Sequence, residues 1–469
     1  MNAFRAWSFP EGFSWSGTVA EVACEPGGGR IAHPVLRGAE ARALAGTVRA
    51  AGEEVLSARP AARIAGLLGR VGERFRDSDD PLTREAVGRL PEVAGLSGAM
   101  AERVVEGMAR DWTRERLRAL LEAEFADPAV LDGFRPGRGA ARVRAYGPRL
   151  ALHVSAGTVP GVSVTSLIRG LLVKSAVVLK PGRGDAVLPV LFARGLREED
   201  TALSDALAVA YWPGGAGETE ATLLEEAEAV VVHGGNEAVR RLRDRTPVTS
   251  RFVAYRHRLS VGLVGRGALD GEGGAGGVAD AAARAVATFD QRGCVSPHAF
   301  YVERGGAVAV DEWARELARS LERIEEAWPS GPLLPEEAAE VQQVRGTAEL
   351  EAAAEPGREV HHGGATAPWT VLVEPGPLFT PSCLGRVVRV HPVDRLEEAL
   401  EALAPLRPHL QTVALACVGE RRDELAELFA GAGAVRITSM EEAPWPPAWW
   451  HHDGSGALRS LVRWVDLER

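Results

Sequence analysis

Lysine is nearly absent from this chain: among 54 basic residues only Lys174 and Lys180 are lysines, and arginine supplies the rest. Such usage marks a GC-rich coding sequence, which also accounts for the abundant Ala, Gly and Glu, so no thermostability is read from it. Cysteine is scarce too. Cys24, Cys294, Cys383 and Cys417 lie far apart without a C-x-x-C pair, which excludes a zinc knuckle or dithiol redox motif and agrees with a reducing cytoplasm. Positive charge is not in surplus: 54 basic against 64 acidic residues leave a formal charge of −10, which argues against wrapping nucleic acid. No window approaches the ~18 uninterrupted apolar residues of a membrane span. The first 15 residues carry aromatic and charged side chains where a signal peptide has its apolar core, so neither a span nor a signal peptide is expected. A G-x-G-x-x-G fingerprint followed by a spaced acidic residue is also missing, which disfavours an ordinary Rossmann dehydrogenase.

What is present is an enzyme-sized chain of 469 residues, 46% hydrophobic and 25% charged, enough for two or three packing units. Apolar residues spaced by three and four predict helices over 38–57, 61–75 and 114–126, so the first ~130 residues read as mostly helical. From position 150 the texture changes to strand, helix, strand. Strands are expected at 150–154, 176–179, 206–210 and 229–232, with helices at 162–172, 218–226 and 237–245, a parallel doubly wound α/β sheet. A Gly-rich stretch at 265–277 is taken as the domain junction. Beyond it lies a second α/β block, with strands at 299–302, 370–373, 387–390 and 412–417 and helices at 278–288, 310–328, 394–403 and 422–431. The expected division is a cofactor-binding domain over 1–264, a cysteine-bearing domain over 265–439 and a Trp- and Pro-rich closing segment over 440–469.

Cys294 follows a helix in Phe289-Asp290-Gln291-Arg292-Gly293-Cys294-Val295-Ser296-Pro297. An open loop beside Arg292 and His298 would favour the thiolate, whereas a buried cysteine is simply a small hydrophobe. Ligands of parallel sheets bind at the carboxyl ends of strands, which singles out Lys180 and the turn His233-Gly234-Gly235. The lysine suits a ribose or phosphate, and the glycines let helix N-terminal amides come close; a solvated lysine and an ordinary turn are the plainer alternatives. His361-His362 and His451-His452-Asp453 lack the spacing that sets two ligands on one face, so no metal is expected.

Together these residues resemble the acyl-CoA reductase family typified by the LuxC-type fatty acid reductase of bacterial luminescence, a branch of the aldehyde dehydrogenase superfamily. The likeness runs from about Leu150 to the C-terminus. Ser155-Ala156-Gly157-Thr158-Val159-Pro160 is similar to the family's A-G-N-V-P loop, and Val177-Val178-Leu179-Lys180-Pro181 to the cofactor-binding lysine segment. Trp212-Pro213-Gly214-Gly215 and Val231–Val239 resemble segments at the cofactor site. Phe289–Cys294 is similar to the superfamily's F-N-Q-G-Q-C around its nucleophile, and His452-Asp453-Gly454 with Leu461-Val462-Arg463-Trp464 resembles the family's closing segment.

The resemblance implies an aldehyde dehydrogenase-like α/β fold, Cys294 as nucleophile with Thr158 at the oxyanion position, and Ser155, Lys180, Arg183, Gly234 and Gly235 around NADPH, with NADH as the alternative. Arg183 is the residue expected at a 2′-phosphate. Three departures bear on the chemistry. Thr158 replaces the oxyanion asparagine, which shifts weight to the Cys294 backbone N–H. The stretch matching the glutamate base of hydrolytic relatives, Ala254-Tyr255-Arg256-His257-Arg258, has no glutamate, so a thioester at Cys294 is spared hydrolysis. Ser382, in Ser382-Cys383-Leu384-Gly385-Arg386-Val387, replaces the glutamate that holds the nicotinamide ribose. The implied reaction is reduction of an acyl-CoA, fatty acyl in the first instance, or of an acyl-carrier thioester, to the aldehyde. The same residues serve an acylating dehydrogenase running oppositely, or an acyl carrier without redox chemistry. Superfamily resemblance implies a dimer or tetramer.

Overall fold

The computed structural model describes residues 2–215, 217–270, 274–364 and 367–468. The chain forms two compact units, Met1–Arg256 with Pro447–Arg469, and His257–Pro446.

The first unit is built on a six-stranded sheet in the order Arg251–Tyr255, Ala229–His233, Leu150–Val154, Ala176–Lys180, Leu207–Ala210, Trp7–Ser8. The first five strands are parallel and Trp7–Ser8 is an antiparallel edge. Leu-Ala-Leu-His-Val, Ala-Val-Val-Leu-Lys and Ala-Val-Val-Val-His are nearly continuous apolar runs because such strands are covered on both faces. Leu152, Val178 and Ala208 meet Leu44 and Val48 of the helix Gly38–Val55, together with Leu223 and Leu224. The intervening residues face the other way, where helices Val162–Leu172 and Val187–Glu199 pack on the sheet.

The N-terminal part is mostly helical, as the spacing predicts, with a small sheet added before the helices. Five helices are present, Gly38–Val55, Ala61–Arg74, Pro81–Ala94, Gly98–Ala109 and Arg114–Glu124, but Val19–Cys24 and Gly29–Pro34 form a hairpin joined by Phe4–Arg5 into a small sheet. Their alternating, half-exposed pattern is that of strands with one wet face. The closing segment joins this unit through the strand Arg463–Leu467, antiparallel to Arg142–Tyr146. Buried Glu124 fastens it, accepting the backbone N–H groups of Ala457, Leu458 and Arg459 at 2.8, 3.1 and 2.9 Å.

The second unit holds a seven-stranded sheet in the order Glu359–His362, Thr370–Val373, Val387–Val393, Pro297–Glu303, Leu259–Val264, Leu410–Ala416, Arg436–Ser439. Only Glu359–His362 is antiparallel. Helices Gly274–Ala287 and Val310–Ala327 cover one face through an alanine-rich core that includes Phe300, Trp313 and Val388. Glu398–Leu403 and Arg421–Gly431 cover the other with Leu403, Leu425 and Phe429. Because Leu259–Val264 pairs with Pro297–Glu303 and Leu410–Ala416, the chain passes between units at 256/257 and not at 264/265. The Gly-rich stretch expected as the junction instead runs into the helix Gly274–Ala287, and its residues 271–273 lie outside the described residues.

Candidate active site

After the helix Gly274–Ala287 the backbone enters the left-handed region three times in succession, at Phe289 (φ 59°), Asp290 (φ 50°) and Gln291 (φ 64°). Side chains in that region cost about 1–3 kcal/mol each, so such a turn persists only where its surroundings over-determine it. Here a second left-handed run, Leu384 (φ 69°), Gly385 (φ 64°) and Arg386 (φ 62°), does so. The fully buried Arg386 guanidinium donates to Asp290 Oδ1 at 2.7 Å and to Glu325 Oε2 at 2.5 Å, while Gly331 N–H donates to Asp290 Oδ2 at 3.1 Å. The Gln291 amide donates to the carbonyls of Pro297 and Val387 at 2.9 and 2.8 Å. The strain is thus held by buried hydrogen bonds, and the chain that leaves it carries a partly exposed Cys294.

Around Cys294 three neighbouring strands contribute. Ser260 Oγ donates to the Cys294 carbonyl at 2.7 Å and accepts from Thr412 N–H at 3.0 Å. Gln411 Nε2 stands 3.8 Å from Cys294 Sγ. Arg436, on the last strand, interacts electrostatically with Cys294; burial pulls its guanidinium down to about 10, against the opposing pull of Glu442 and Cys294. The cations expected from sequence are placed otherwise. Arg292 pairs with Glu337 at 3.0 Å. His298 accepts from Ser382 N–H at 3.2 Å, and burial with nearby His257 pushes it down to about 4, so it is neutral at pH 7. Ser382, where the superfamily has a glutamate, turns inward: its hydroxyl donates to Val387 O at 2.5 Å and accepts from Leu384 N–H at 2.8 Å.

In the first unit the expected cofactor residues gather at the carboxyl ends of adjacent strands. Ser155 N–H donates to Lys180 O at 2.9 Å, and Ser155 Oγ is buried with no protein partner. Lys180 lies over the Tyr211 ring, 5.5 Å from its centroid, and burial lowers its pKa, opposed by Glu220 and reinforced by Arg241. The Thr158 loop and the lysine segment touch backbone to backbone. A Cβ on Gly182 would come within 2.2 Å of Gly157 N, and one on Gly184 within 2.4 Å of Gly157 O. Thr158 itself is exposed. Asp185, which sequence reasoning passed over, is fully buried and accepts from Gly161 and Ser163 N–H at 2.7 and 2.8 Å, capping the helix that follows Thr158. Burial outweighs those donors and pushes its carboxyl up to about 7. Arg183 gives one N–H to Ala23 O at 2.8 Å, tying the N-terminal hairpin to this segment.

Gly234 N–H donates to Tyr255 O at 3.1 Å, and Gly235 precedes the helix Asn236–Arg245, whose N-terminus opens at the strand end. His233, Tyr255, His452 and Trp450 form a stacked column with successive centroids 4.5 Å apart, so the closing segment rests on this strand end. His361 and His362 pair with Glu359 and Glu349, each at 3.0 Å. An orphaned buried hydroxyl, a desolvated ammonium and a helix N-terminus together fit the ribose and phosphates of a nicotinamide dinucleotide.

The family model described as acyl-CoA reductase (LuxC) matches residues 57–464. The chain belongs to that family. Membership places it among oxidoreductases acting on acyl thioesters, and the match begins well before position 150, taking in the helices from Ala61 onward that carried no sharp resemblance in sequence. Among similar proteins, the long-chain acyl-protein thioester reductase of Aliivibrio fischeri is 25% identical over 418 residues, covering 87% of this chain and 82% of that one. The Vibrio harveyi protein of the same description is 24% identical over 406 residues, covering 85% and 80%. The fold of this LuxC-family chain is that of aldehyde dehydrogenases. An NADP-dependent glyceraldehyde-3-phosphate dehydrogenase from Bacillus halodurans C-125, complexed with NADP, superposes with a TM-score of 0.74 at 15% identity over 100% of this chain and 99% of that one. Aldehyde dehydrogenase 21 from Physcomitrella patens, in complex with succinate, gives 0.76 at 12% identity over 100% and 98%. Among the described residues no helix is long and apolar enough to cross a membrane, and no group of three or more His, Cys, Asp or Glu is placed to hold a metal ion.

Proposed function

We propose that this protein reduces a fatty acyl thioester, of CoA or of a carrier protein, to the aldehyde with NADPH through an acyl group carried on Cys294. The observation that carries the reading is a partly exposed cysteine on a strained, buried-pair-locked turn, in a chain whose 254–258 segment has no carboxylate to activate water. Cys294 thiolate attacks the carbonyl carbon, and its own backbone N–H serves the developing oxyanion, a role the family resemblance also implies for Thr158. The donor C–S bond breaks, and the departing thiolate takes a proton from solvent. The acyl-enzyme is spared rapid hydrolysis, since the 254–258 segment offers no carboxylate to activate water. Ser155, Lys180 and the Gly234-Gly235 helix start would hold a reduced nicotinamide dinucleotide, which would supply the hydride. The tetrahedral adduct on sulfur collapses, its C–S bond breaks, and Cys294 returns as thiolate with the aldehyde free. In sum, acyl thioester, NADPH and one proton give aldehyde, thiol and NADP⁺. Arg183 would meet a 2′-phosphate with the donors not given to Ala23. The description of relatives as long-chain acyl-protein thioester reductases supports a carrier-borne donor, and the family's description as acyl-CoA reductase supports CoA.

The test is NADPH oxidation at 340 nm with acyl-CoAs from acetyl to palmitoyl and the matching acyl-carrier proteins, with Cys294→Ala as control. Chain-dependent turnover lost in the variant supports the reading. No turnover with either donor series, from protein shown to bind NADPH, contradicts it.

A further inference from the structure

We infer that Gln411 is a catalytic residue and Arg436 its electrostatic partner, together holding Cys294 as the thiolate without a proton-accepting base. The inference rests on Cys294 being the nucleophile of the proposed reaction. Gln411 lies on Leu410–Ala416 with its side chain wholly buried, and its amide nitrogen approaches the Cys294 sulfur at 3.8 Å. An amide does not ionise between pH 2 and 12, so this donor favours the anionic sulfur at every working pH and removes no proton from it. Val435 N–H donates to Gln411 O at 3.0 Å, and Thr412 lies in register with Arg436 on the adjoining strand. The backbone that aims Gln411 therefore also sets Arg436.

The Arg436 guanidinium is fixed by the carbonyls of Ala443 and Glu442 at 2.8 and 2.6 Å, so its charge does not swing into solvent. A cation held in a largely buried setting acts on a neighbouring thiolate with little screening. Ser260 completes the frame, binding the Cys294 carbonyl and Thr412 N–H at once. Among the described residues the titratable and charged groups on the surrounding elements include Arg436 with Glu442 nearby, Arg292 in its pair with Glu337, Arg258 donating to Leu410 O at 3.2 Å, neutral His298 with His257 near it, and His409 against the His257 carbonyl. Arg436 is thus a cation that acts on the sulfur, while Arg292 is paired with Glu337.

The experiment is the pH dependence of iodoacetamide alkylation of the full-length protein without acyl donor or cofactor, read at each cysteine by peptide mass spectrometry. In alkylation the thiolate, its proton already lost to solvent, forms the S–C bond while the C–I bond of iodoacetamide breaks and iodide leaves. Arg436→Met and Gln411→Leu are each expected to slow alkylation of Cys294 at pH 7 by about tenfold and to move the inflection up by about one pH unit. Arg436→Lys restores most of the rate, and Arg292→Gln leaves it unchanged. Circular dichroism and Tm identify any variant that has lost its fold, and Gln411→Asn serves as the milder second probe. Unchanged Cys294 profiles in folded Arg436→Met and Gln411→Leu overturn the inference, as does a loss in Arg292→Gln as large as that in Arg436→Met. Because no substrate is used, a shift in alkylation alongside absent NADPH oxidation would sink the proposed reaction, and with it the catalytic role of Gln411, while leaving the stabilised thiolate standing.

Discussion

Replacing Arg386 by Met should unfasten the cysteine turn at a calculable cost. The guanidinium is fully buried and holds two carboxylates, Asp290 at 2.7 Å and Glu325 at 2.5 Å, whose side chains are 6% and 20% exposed. Met fills much of the same volume but leaves Asp290 a buried anion with only the Gly331 N–H. Removing one member of a buried pair costs about 3–5 kcal/mol, against near neutrality when both members are replaced by apolar groups. The second unit spans 257–446, a size at which about 1 kcal/mol moves Tm by about 2–4 °C. Arg386→Met should therefore lower the Tm of that transition by about 6–20 °C in a calorimetric scan. Asp290→Asn should cost less, since an amide still accepts from Gly331 and tolerates the left-handed backbone better than most residues. The double variant should be more stable than the sum of the singles implies, with a coupling of about 2 kcal/mol or more. A drop under ~2 °C for Arg386→Met, or strictly additive singles, would refute the claim that this pair holds the turn.

Three further outcomes follow from the first unit. Asp185, with its folded carboxyl at about 7 against about 3.9 unfolded, binds more protons folded than unfolded between those values. Stability it contributes in acid is lost as pH rises from about 4 to about 7. Asp185→Asn should flatten the urea-measured stability across that window relative to wild type, and parallel pH curves would contradict the burial argument. Gly182→Ala places a Cβ against the Gly157 backbone at 2.2 Å, which cannot yield as a flexible side chain would. NADPH affinity by fluorescence titration should fall at least about tenfold, with about 1–3 kcal/mol lost in stability. Glu124→Ala strips three backbone N–H groups, two of them buried, of their acceptor, so the closing segment around 457–459 should become the first site of limited proteolysis at a cost of about 3 kcal/mol.

Much of the sheet was legible because its strands are continuous apolar runs bounded by Gly, Pro or Ser. Leu150–Val154, Thr370–Val373 and the helix Val162–Leu172 coincide with the ranges expected from that rule. The hairpin Val19–Cys24/Gly29–Pro34 was not legible, since Ala, Glu and Arg in alternation read equally as a helix face until the partner strand is known. The helices Pro81–Ala94 and Gly98–Ala109 did carry signals, Asp80 and Ser97 at their N-caps and a proline at the first turn, which the periodicity rule alone did not weigh. At the site, local motif reached Cys294 and Lys180 because each sits in a short contiguous segment. Gln411, Arg436 and Arg386 could not be reached that way: they arrive by strand register and a buried pair across the sheet, with no local pattern to mark them. Arg292 shows the converse, since adjacency in sequence suggested a cation for the thiol while its guanidinium turns to Glu337.

The central claim is an acyl group carried on Cys294 and discharged by reduction. Its most direct test is intact-protein mass spectrometry in a single turnover, first with a fatty acyl donor alone and then after addition of NADPH, with aldehyde trapped as its hydrazone. One acyl adduct per chain is expected, mapped to Cys294 and absent from Cys294→Ala, and it disappears on adding NADPH with release of one equivalent of aldehyde. An adduct on another residue, or one at Cys294 that NADPH leaves in place or releases as carboxylic acid, would contradict it.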